Sequence, residues 1–347
     1  MRRSAKVLVL VTAALTGCES PPPSTAGGLE TGGTSSTAGS AGTGAVIAGS
    51  AGTSSAGSSA TGGSAGTVII PVPMAGASTA GGGGTAGGLV ETLPPDFTGT
   101  DAGGFKLGEP VMPGGAPPVN EGKCNNLLTG IVRDFKGLDQ PDGHPNFQMD
   151  LSGTDYGVRE GLVAPDLGAD FKPLLAGDGI SPVTTGPLDF AEWYVNTDTK
   201  NMPYYLTVWL APTGTGIFTF QSDSFFPLDG AGFNDSNTNN MGDAHNYFFT
   251  FELHTTFNYR GGETFTFIGD DDVWIFINGK LAVDIGGVHE ESTASVDLDE
   301  RATELGITVG STYALDMFQA ERHTVDSNFR IDTSLSFDCS VFVPEPR

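Results

Sequence analysis

The stretch Val273-Trp274-Ile275-Phe276-Ile277-Asn278-Gly279-Lys280-Leu281-Ala282-Val283 decides the fold. A β-branched and aromatic run meets Asn-Gly, the pair that supplies the positive φ of a type I′ turn, and a second apolar run follows. This is a predicted hairpin. Around it, Phe265 and Phe267 alternate with Thr264 and Thr266, and Phe249, Phe251 and Leu253 alternate with Thr250 and Glu252. The runs Tyr205 to Leu210 and Ile217 to Phe220 are bounded by Pro and Gly, and further strands are expected at Tyr313 to Phe318 and Phe329 to Leu335. Helical periodicity is nearly absent, with one short turn expected around Asp189 to Asn196. Many strands with frequent turns predict an all-β protein, an antiparallel β-sandwich.

Upstream the composition changes. From Glu19 to Asn120 the chain is dominated by Gly, Ala, Ser, Thr and Pro, and between 19 and 90 the only charged residues are Glu19 and Glu30. Such a segment cannot bury enough apolar surface to offset its ordering entropy. Residues 19–120 are therefore expected to be a flexible low-complexity linker, with a root-mean-square span of roughly 55 Å. Residues 1–18 carry Arg2, Arg3 and Lys6, then an apolar run from Val7 to Leu15. That run is too short to span a bilayer, which takes about 20 residues, and reads as a secretory signal peptide. It ends in Leu15-Thr16-Gly17-Cys18, which resembles the lipobox of bacterial lipoproteins. The resemblance implies lipidation at Cys18 and a bacterial cell-envelope location, at the outer membrane or cell surface, touching the membrane through the lipid anchor alone.

Residues 121–347 hold most of the aromatic and charged residues, and are long enough to bury a sizeable core. They contain 35 acidic and 12 basic residues, within a chain of net charge −25. This balance argues against nucleic acid, which needs a basic face, and suits divalent cations. Cys124 and Cys339 bracket the region. In an exported protein that arrangement predicts a disulfide, stabilising by roughly 5 kcal/mol on the chain-entropy model. With no CxxC and five scattered His, a zinc site is not expected.

The chemistry concentrates at Gly269-Asp270-Asp271-Asp272-Val273-Trp274. Three adjacent carboxylates resist joint ionisation. A hard cation relieves this, and calcium takes several oxygen ligands at about 2.3–2.6 Å. Successive side chains of a regular strand point to opposite faces, so two adjacent Asp share one ion only where the backbone departs from strand geometry. The same region resembles the fibro-slime domain, which is related to the protective-antigen β-sandwich. The resemblance is carried by His245 to Thr250, Phe267 to Leu281, Val283 to His289, Ala320 to Thr324, Ser327 to Ile331, Phe225 to Asp229 and the opening Arg133-Asp134-Phe135. It covers roughly residues 129–337. In lectin members of that wider family, two consecutive Asp joined by a cis peptide hold calcium, which binds sugar hydroxyls, and a neighbouring Asn completes the set. The resemblance thus implies calcium as cofactor. It implies Asp270, Asp271 and Asn328 as ligand-binding residues, and Asp270, Asp271, Asp272 and Asn328 as metal ligands. Asp272 stands where many relatives have Gly, which leaves the pair open by one residue. Asp326 and Glu321 are alternative ligands from the second loop.

Plainer readings stand beside these. The Asp run also fits strand-end capping through backbone hydrogen bonds. Glu321-Arg322-His323 reads as an ion pair fixing a loop, His245 and His289 as structural histidines, and Trp274 as core. Asp235 to Asn240 lacks the Gly and Glu of a calcium-binding loop and reads as polar surface. Gly62-Gly63-Ser64-Ala65-Gly66 matches a nucleophile elbow only inside the linker, without strand, turn and helix around it. No zinc-protease or phosphate-loop motif is present, and no carboxylate pair is singled out for glycoside hydrolysis. The expectation is a non-enzymatic, surface-anchored adhesion or carbohydrate-binding protein. Its partner would be an extracellular polysaccharide or cell-surface glycan, recognised with calcium. A matrix or protein–protein adhesion module without a sugar site is the alternative, and a polysaccharide hydrolase a disfavoured one.

Overall fold

The central hairpin forms where the sequence places it. Asn278 and Gly279 take φ of 54° and 74°, both in the positive region that a type I′ turn needs. The computed structural model describes residues 92–114, 118, 126–177, 180–214, 216–233, 237–238, 241–338 and 340. The signal peptide, Cys18, the Gly62–Gly66 match, residues 19–91 of the linker, Cys124 and Cys339 lie outside these residues. So does most of the Asp235–Asn240 stretch.

Two antiparallel sheets make the sandwich. The larger has eight strands in the order β1 (Thr98–Gly99), β2 (Gly104–Pro110), β6 (Asn201–Trp209), β3 (Leu127–Phe135), β11 (Phe249–Asn258), β16 (Thr312–Glu321), β13 (Asp272–Ile277) and β14 (Lys280–Ile285). The smaller has five, in the order β15 (Ser292–Asp297), β12 (Thr264–Gly269), β17 (Phe329–Thr333), β8 (Ile217–Ser222) and β7 (Ala211–Gly214). Two small hairpins, β4 (Ile180–Ser181) with β5 (Thr184–Thr185) and β9 (Asn237–Thr238) with β10 (Ala244–His245), complete the strands among the described residues. Val132, Leu206, Phe251, Ile275 and Met317 of the large sheet meet Phe220, Phe265, Phe267 and Ile331 of the small sheet in one buried core.

The outer face of the large sheet is also covered. Phe147, Phe190, Trp193 and Tyr194, from the segment between β3 and β6, pack on Trp274, Phe276 and Phe318. Helix α1 (Pro187–Ala191) and a 3₁₀ turn (Glu192–Tyr194) lie in this segment, at the helical turn expected there. β13 is therefore buried on both faces, with Val273, Ile275 and Ile277 inward and Trp274 and Phe276 outward. This is why its sequence is a continuous apolar run rather than an alternating one. Trp274 is core, as read from the sequence, and its Nε1 donates to Asp284 at 3.0 Å.

Two expectations are corrected. The linker was drawn to residue 120, but β1 and β2 fall within it, and β2 pairs with β6 from Gly104↔Trp209 to Pro110↔Tyr204. Phe105 and Leu107 pack against the central core, and this anchoring outweighs the surrounding Gly and Pro. Helical structure extends beyond the expected turn: α2 spans Leu298–Leu305. Asp297 caps it by accepting from the backbone N–H of Asp299 and Glu300, and Leu298 and Leu305 are buried. Among the described residues no helix is long and apolar enough to cross a membrane.

Under the covering segment, β11 turns polar side chains outward into a buried charge cluster. Glu252 accepts from Arg133 Nη1 at 2.7 Å, from Lys172 Nζ, and from His254 Nε2 at 2.6 Å. His254 Nδ1 lies 2.7 Å from Asp316. Both ring nitrogens face carboxylates, so the imidazole is charged in this arrangement. Burial alone would lower its pKa, but the hydrogen bonds to Asp316 and Glu252 outweigh burial and raise it. A folded-state pKa above the unfolded value of about 6.5 gives stability that is full below that pH and is lost as pH rises through the raised value. Stability measured by urea unfolding is therefore expected to fall above about pH 6.5. His254→Asn should remove that part of the slope and cost about 3–5 kcal/mol at pH 6. An unchanged slope in His254→Asn would show that the cluster does not set it.

Candidate functional site

β12 ends at Gly269 and β13 begins at Asp272, and the two strands belong to different sheets. Asp270 and Asp271 are thus the passage from the small sheet to the large one, at one end of the sandwich. Gly269 is needed there because a Cβ would run into the carbonyl oxygen of Asn328. The Asp270–Asp271 peptide bond is cis, the feature implied by the family resemblance.

Each carboxylate of the run is held differently. Asp270 accepts from the backbone N–H of Asn328 and from its side-chain Nδ2, both at 2.7 Å. Asp271 accepts from the backbone N–H of His289 and of Arg322, both at 3.1 Å. Asp272 accepts from Gly287 N at 2.5 Å and pairs with Arg322 Nε at 2.6 Å. Arg322 in turn donates to the carbonyls of Asn146 and Val183 and lies over the Trp193 ring. These bonds tie the passage to the loops after β14 and after β16, and to the segment over the large sheet.

Asp270 and Asp271, each 4 % exposed, line a cavity of about 850 Å³ together with Asn328, Glu321, His289 and His323. Tyr156 reaches the same cavity from the covering segment, its hydroxyl 3.3 Å from His323 Nε2. Five of the candidate residues therefore converge: Asp270, Asp271 and Asn328, with the alternatives Glu321 and Asp326. Asp272 does not join them. It is wholly buried, outside the cavity lining, with its carboxylate engaged by Arg322 and Gly287. Alternation at the start of β13 turns it to the other side. The ion pair expected within Glu321-Arg322-His323 is likewise replaced by Arg322 with Asp272. His289 Nδ1 donates to the carbonyl of Glu290, and His245 pairs with Asp229 at 2.7 Å, which fits their structural reading.

The acids of the pocket are electrostatically frustrated. Burial raises the Asp270 carboxyl, against the two hydrogen bonds from Asn328. Burial holds Asp271 well above the ordinary carboxylate range, opposed by Arg322 and reinforced by the charges of Asp270 and Asp272. Glu321 is raised well above its usual value by burial and by the charges of Asp271 and Asp270. Its Oε2 is buried without a hydrogen-bond partner. Tyr156 was not singled out from sequence, and His323 was read only as part of a loop-fixing ion pair. They come from segments far apart in the chain, and nothing in their local sequence marks the meeting.

Residues 215–340 match the PA14 domain family. The match takes in the Asp270–Asp271 passage and leaves out the segment that covers the large sheet. Among curated proteins, the chain is similar to Protein psiQ of Dictyostelium discoideum, 37% identical over 224 residues, which are 61% of this chain and 21% of that protein. It is also similar to Protein psiD of the same organism, 41% identical over 244 residues, 62% of this chain and 46% of that protein. The chain spans less than half the length of these relatives. Among solved structures, the PA14 domain of the MpAFP antifreeze protein aligns with a TM-score of 0.24 and 10% identity, over 61% of this chain and 85% of that one.

Removing one partner of a buried pair strands the other as an unpaired charge. Arg322→Ala is therefore expected to cost about 3–5 kcal/mol in urea unfolding, while the double variant Asp272→Leu with Arg322→Leu recovers much of it. A loss below about 1 kcal/mol in the single variant, the range of exposed pairs, would refute the account of Asp272 as a structural anion.

Proposed function

We propose that this protein is a surface-tethered adhesion module that recognises extracellular glycan through a calcium ion held at Asp270 and Asp271, with Asn328 as a third ligand. The observation that carries this reading is the convergence of the two adjacent carboxylates and Asn328 on one cavity, beside the unpartnered Oε2 of Glu321. PA14 domains are often carbohydrate-binding or adhesion modules, which is compatible with this reading. The donors are all oxygens, the class that calcium selects. Buried acids pushed toward protonation are the groups that a cation would return to their charged form. Among the described residues no three His, Cys, Asp or Glu side chains are gathered as a metal-binding group. The set is therefore two carboxylates and the Asn328 amide. Rotation of that amide would turn its oxygen to the ion in place of Nδ2. Calcium takes 6–8 oxygens, so such a set leaves positions for water and sugar hydroxyls. The ion supplies a coordination point for neighbouring hydroxyls. Asp270, Asp271 and Asn328 orient it, and Tyr156 and His323 offer hydrogen-bonding groups at the rim.

Calorimetry on the full chain tests this. Calcium chloride is expected to titrate with a stoichiometry of one. Asp270→Asn with Asp271→Asn should abolish the uptake, while circular dichroism stays that of the wild type. Saturation at 100-fold over Kd should stabilise the protein by about 2.7 kcal/mol. A glycan array should lose its signals in chelator. Calcium uptake that survives in the double variant, or array signals indifferent to chelator, would sink the proposal.

The tether belongs to the same proposal. Cys18 carries a diacylglyceryl anchor at the envelope of a bacterial cell, residues 19–91 form the linker, and Cys124 is bonded to Cys339. Described neighbours of the two cysteines lie together: the backbone N–H of Thr129 donates to Ser340 Oγ at 2.8 Å. Mass spectrometry of the mature protein is expected to show a lipidated N-terminal Cys18, and a peptide pair joining Cys124 to Cys339 that separates only on reduction. An unmodified Cys18, or free thiols at both other positions, would remove the corresponding part.

A further inference from the structure

Three cavities lie in line along the end of the sandwich that carries Asp270 and Asp271. The pocket of about 850 Å³ shares Glu291 and Asn328 with a smaller one of about 320 Å³. The smaller one shares Ser222 and Asp223 with a third, of about 770 Å³. The register of the five-stranded sheet explains this order. Ser292 of β15 pairs with Gly269 of β12, Gly269 with Phe329 of β17, and Phe329 with Ser222 of β8. Gln221, next in β8, bridges to Ala102. Four strand-to-strand steps at 4.7–4.9 Å give a trough of roughly 19 Å, longer than a single sugar ring.

The far end has its own wall. The His245 ring stacks on Phe226, with centroids 3.9 Å apart and planes at 5°, and its Nδ1 is 2.7 Å from Asp229 Oδ2. Phe105 and Leu107 of β2 line the same cavity. Aromatic and aliphatic surface beside fixed polar groups is the usual make-up of a small-molecule site, and it suits the apolar face and hydroxyl rim of a sugar. Along the trough, Asp223, Asp229, Glu290, Glu291 and Asp326 outnumber the one arginine, Arg330. Such walls disfavour a polyanionic chain. At the near end, Glu321 Oε2 and His289 Nε2 are buried and unpartnered in the lining.

Resting on the sugar-binding reading of the Asp270–Asp271 pocket, we infer that the ligand is a linear, uncharged polysaccharide. The chain lies across the whole trough, and the Phe226–His245 wall is a second sugar subsite. The near pocket fixes one sugar and the far wall sets the preference for length.

The test is calorimetry on the full chain with calcium present, using cello-, xylo- and manno-oligosaccharides of two and six units, and a six-unit oligogalacturonate as polyanion. In at least one neutral series the six-unit chain should bind ten-fold or more tighter than the two-unit chain. Asp223 is exposed and shared by the middle and far cavities. D223W should therefore erase that gain, leaving the two-unit affinity and the thermal midpoint unchanged. Equal affinity for both lengths, no effect of D223W on the six-unit chain, or preference for the polyanion overturns the inference. In those cases the near pocket still stands if Asp270→Asn with Asp271→Asn abolishes binding. Binding by none of the three series overturns the trough and the glycan reading together.

Discussion

The buried pair between Asp272 and Arg322 is the constraint on which the site depends. Arg322 serves two adjacent carboxylates at once, its backbone N–H donating to Asp271 and its side chain to Asp272. Its Nη1 reaches two carbonyls of the covering segment, and its plane lies over Trp193. One side chain therefore joins the sheet crossing, the loop after β16 and the second core. A buried salt bridge is weak evidence for net stability, because desolvation offsets much of the attraction. Its value here is positional. With Asp272 committed to Arg322, only Asp270 and Asp271 are left to face the cavity.

That division also explains how a run of three acids is tolerated. Asp272 is neutralised by a fixed cation. Asp270 and Asp271 receive two backbone or amide N–H groups each, which offset part of the cost of burying charge. Glu321 is bonded by Ser327 and the His323 backbone, yet its Oε2 has no partner. The pocket is therefore a place where negative charge is gathered but incompletely compensated. Perturbed acids clustered in a cleft are candidates for a functional site. The sandwich end suits this, because backbone leaving one sheet for another is free of ladder pairing and can turn its side chains the same way.

The sandwich was legible where a strand's two faces or its turn left a mark. Asn278-Gly279 announces its hairpin, and the alternation in Phe249 to Leu253 and Phe265 to Phe267 marks faces turned to the central core. The continuous run Val273 to Ile277 announced a strand, but not what buries its second face. The covering residues Phe147 and Trp193 lie in a segment without period. α2 carried its signals openly, with Asp297 as cap and Gly306 after Leu305, but eight residues are too few for periodicity to stand out. β1 and β2 were hidden by composition: a strand of Gly104-Phe105-Lys106-Leu107 inside Gly- and Pro-rich sequence reads as linker until its partner β6 is known. At the site, Asp270, Asp271 and Asn328 were legible through motif and resemblance. The fate of Asp272 was not, because strand alternation at its position depends on where β13 begins.

The early strands bear on more than the boundary of the fold. β2 continues the large sheet beyond β6, and the turn before it bridges back to β8 of the small sheet at Ala102↔Gln221. This places Thr98 to Asp101, residues otherwise assigned to a tether, at the rim of the far cavity. The match to the PA14 domain begins at residue 215, so the near pocket and the Phe226–His245 pair lie mostly within the matched part, while the Thr98–Asp101 rim lies outside it. A strand drawn from the adjoining low-complexity chain thus shapes one rim of the far cavity without touching the Asp270–Asp271 crossing.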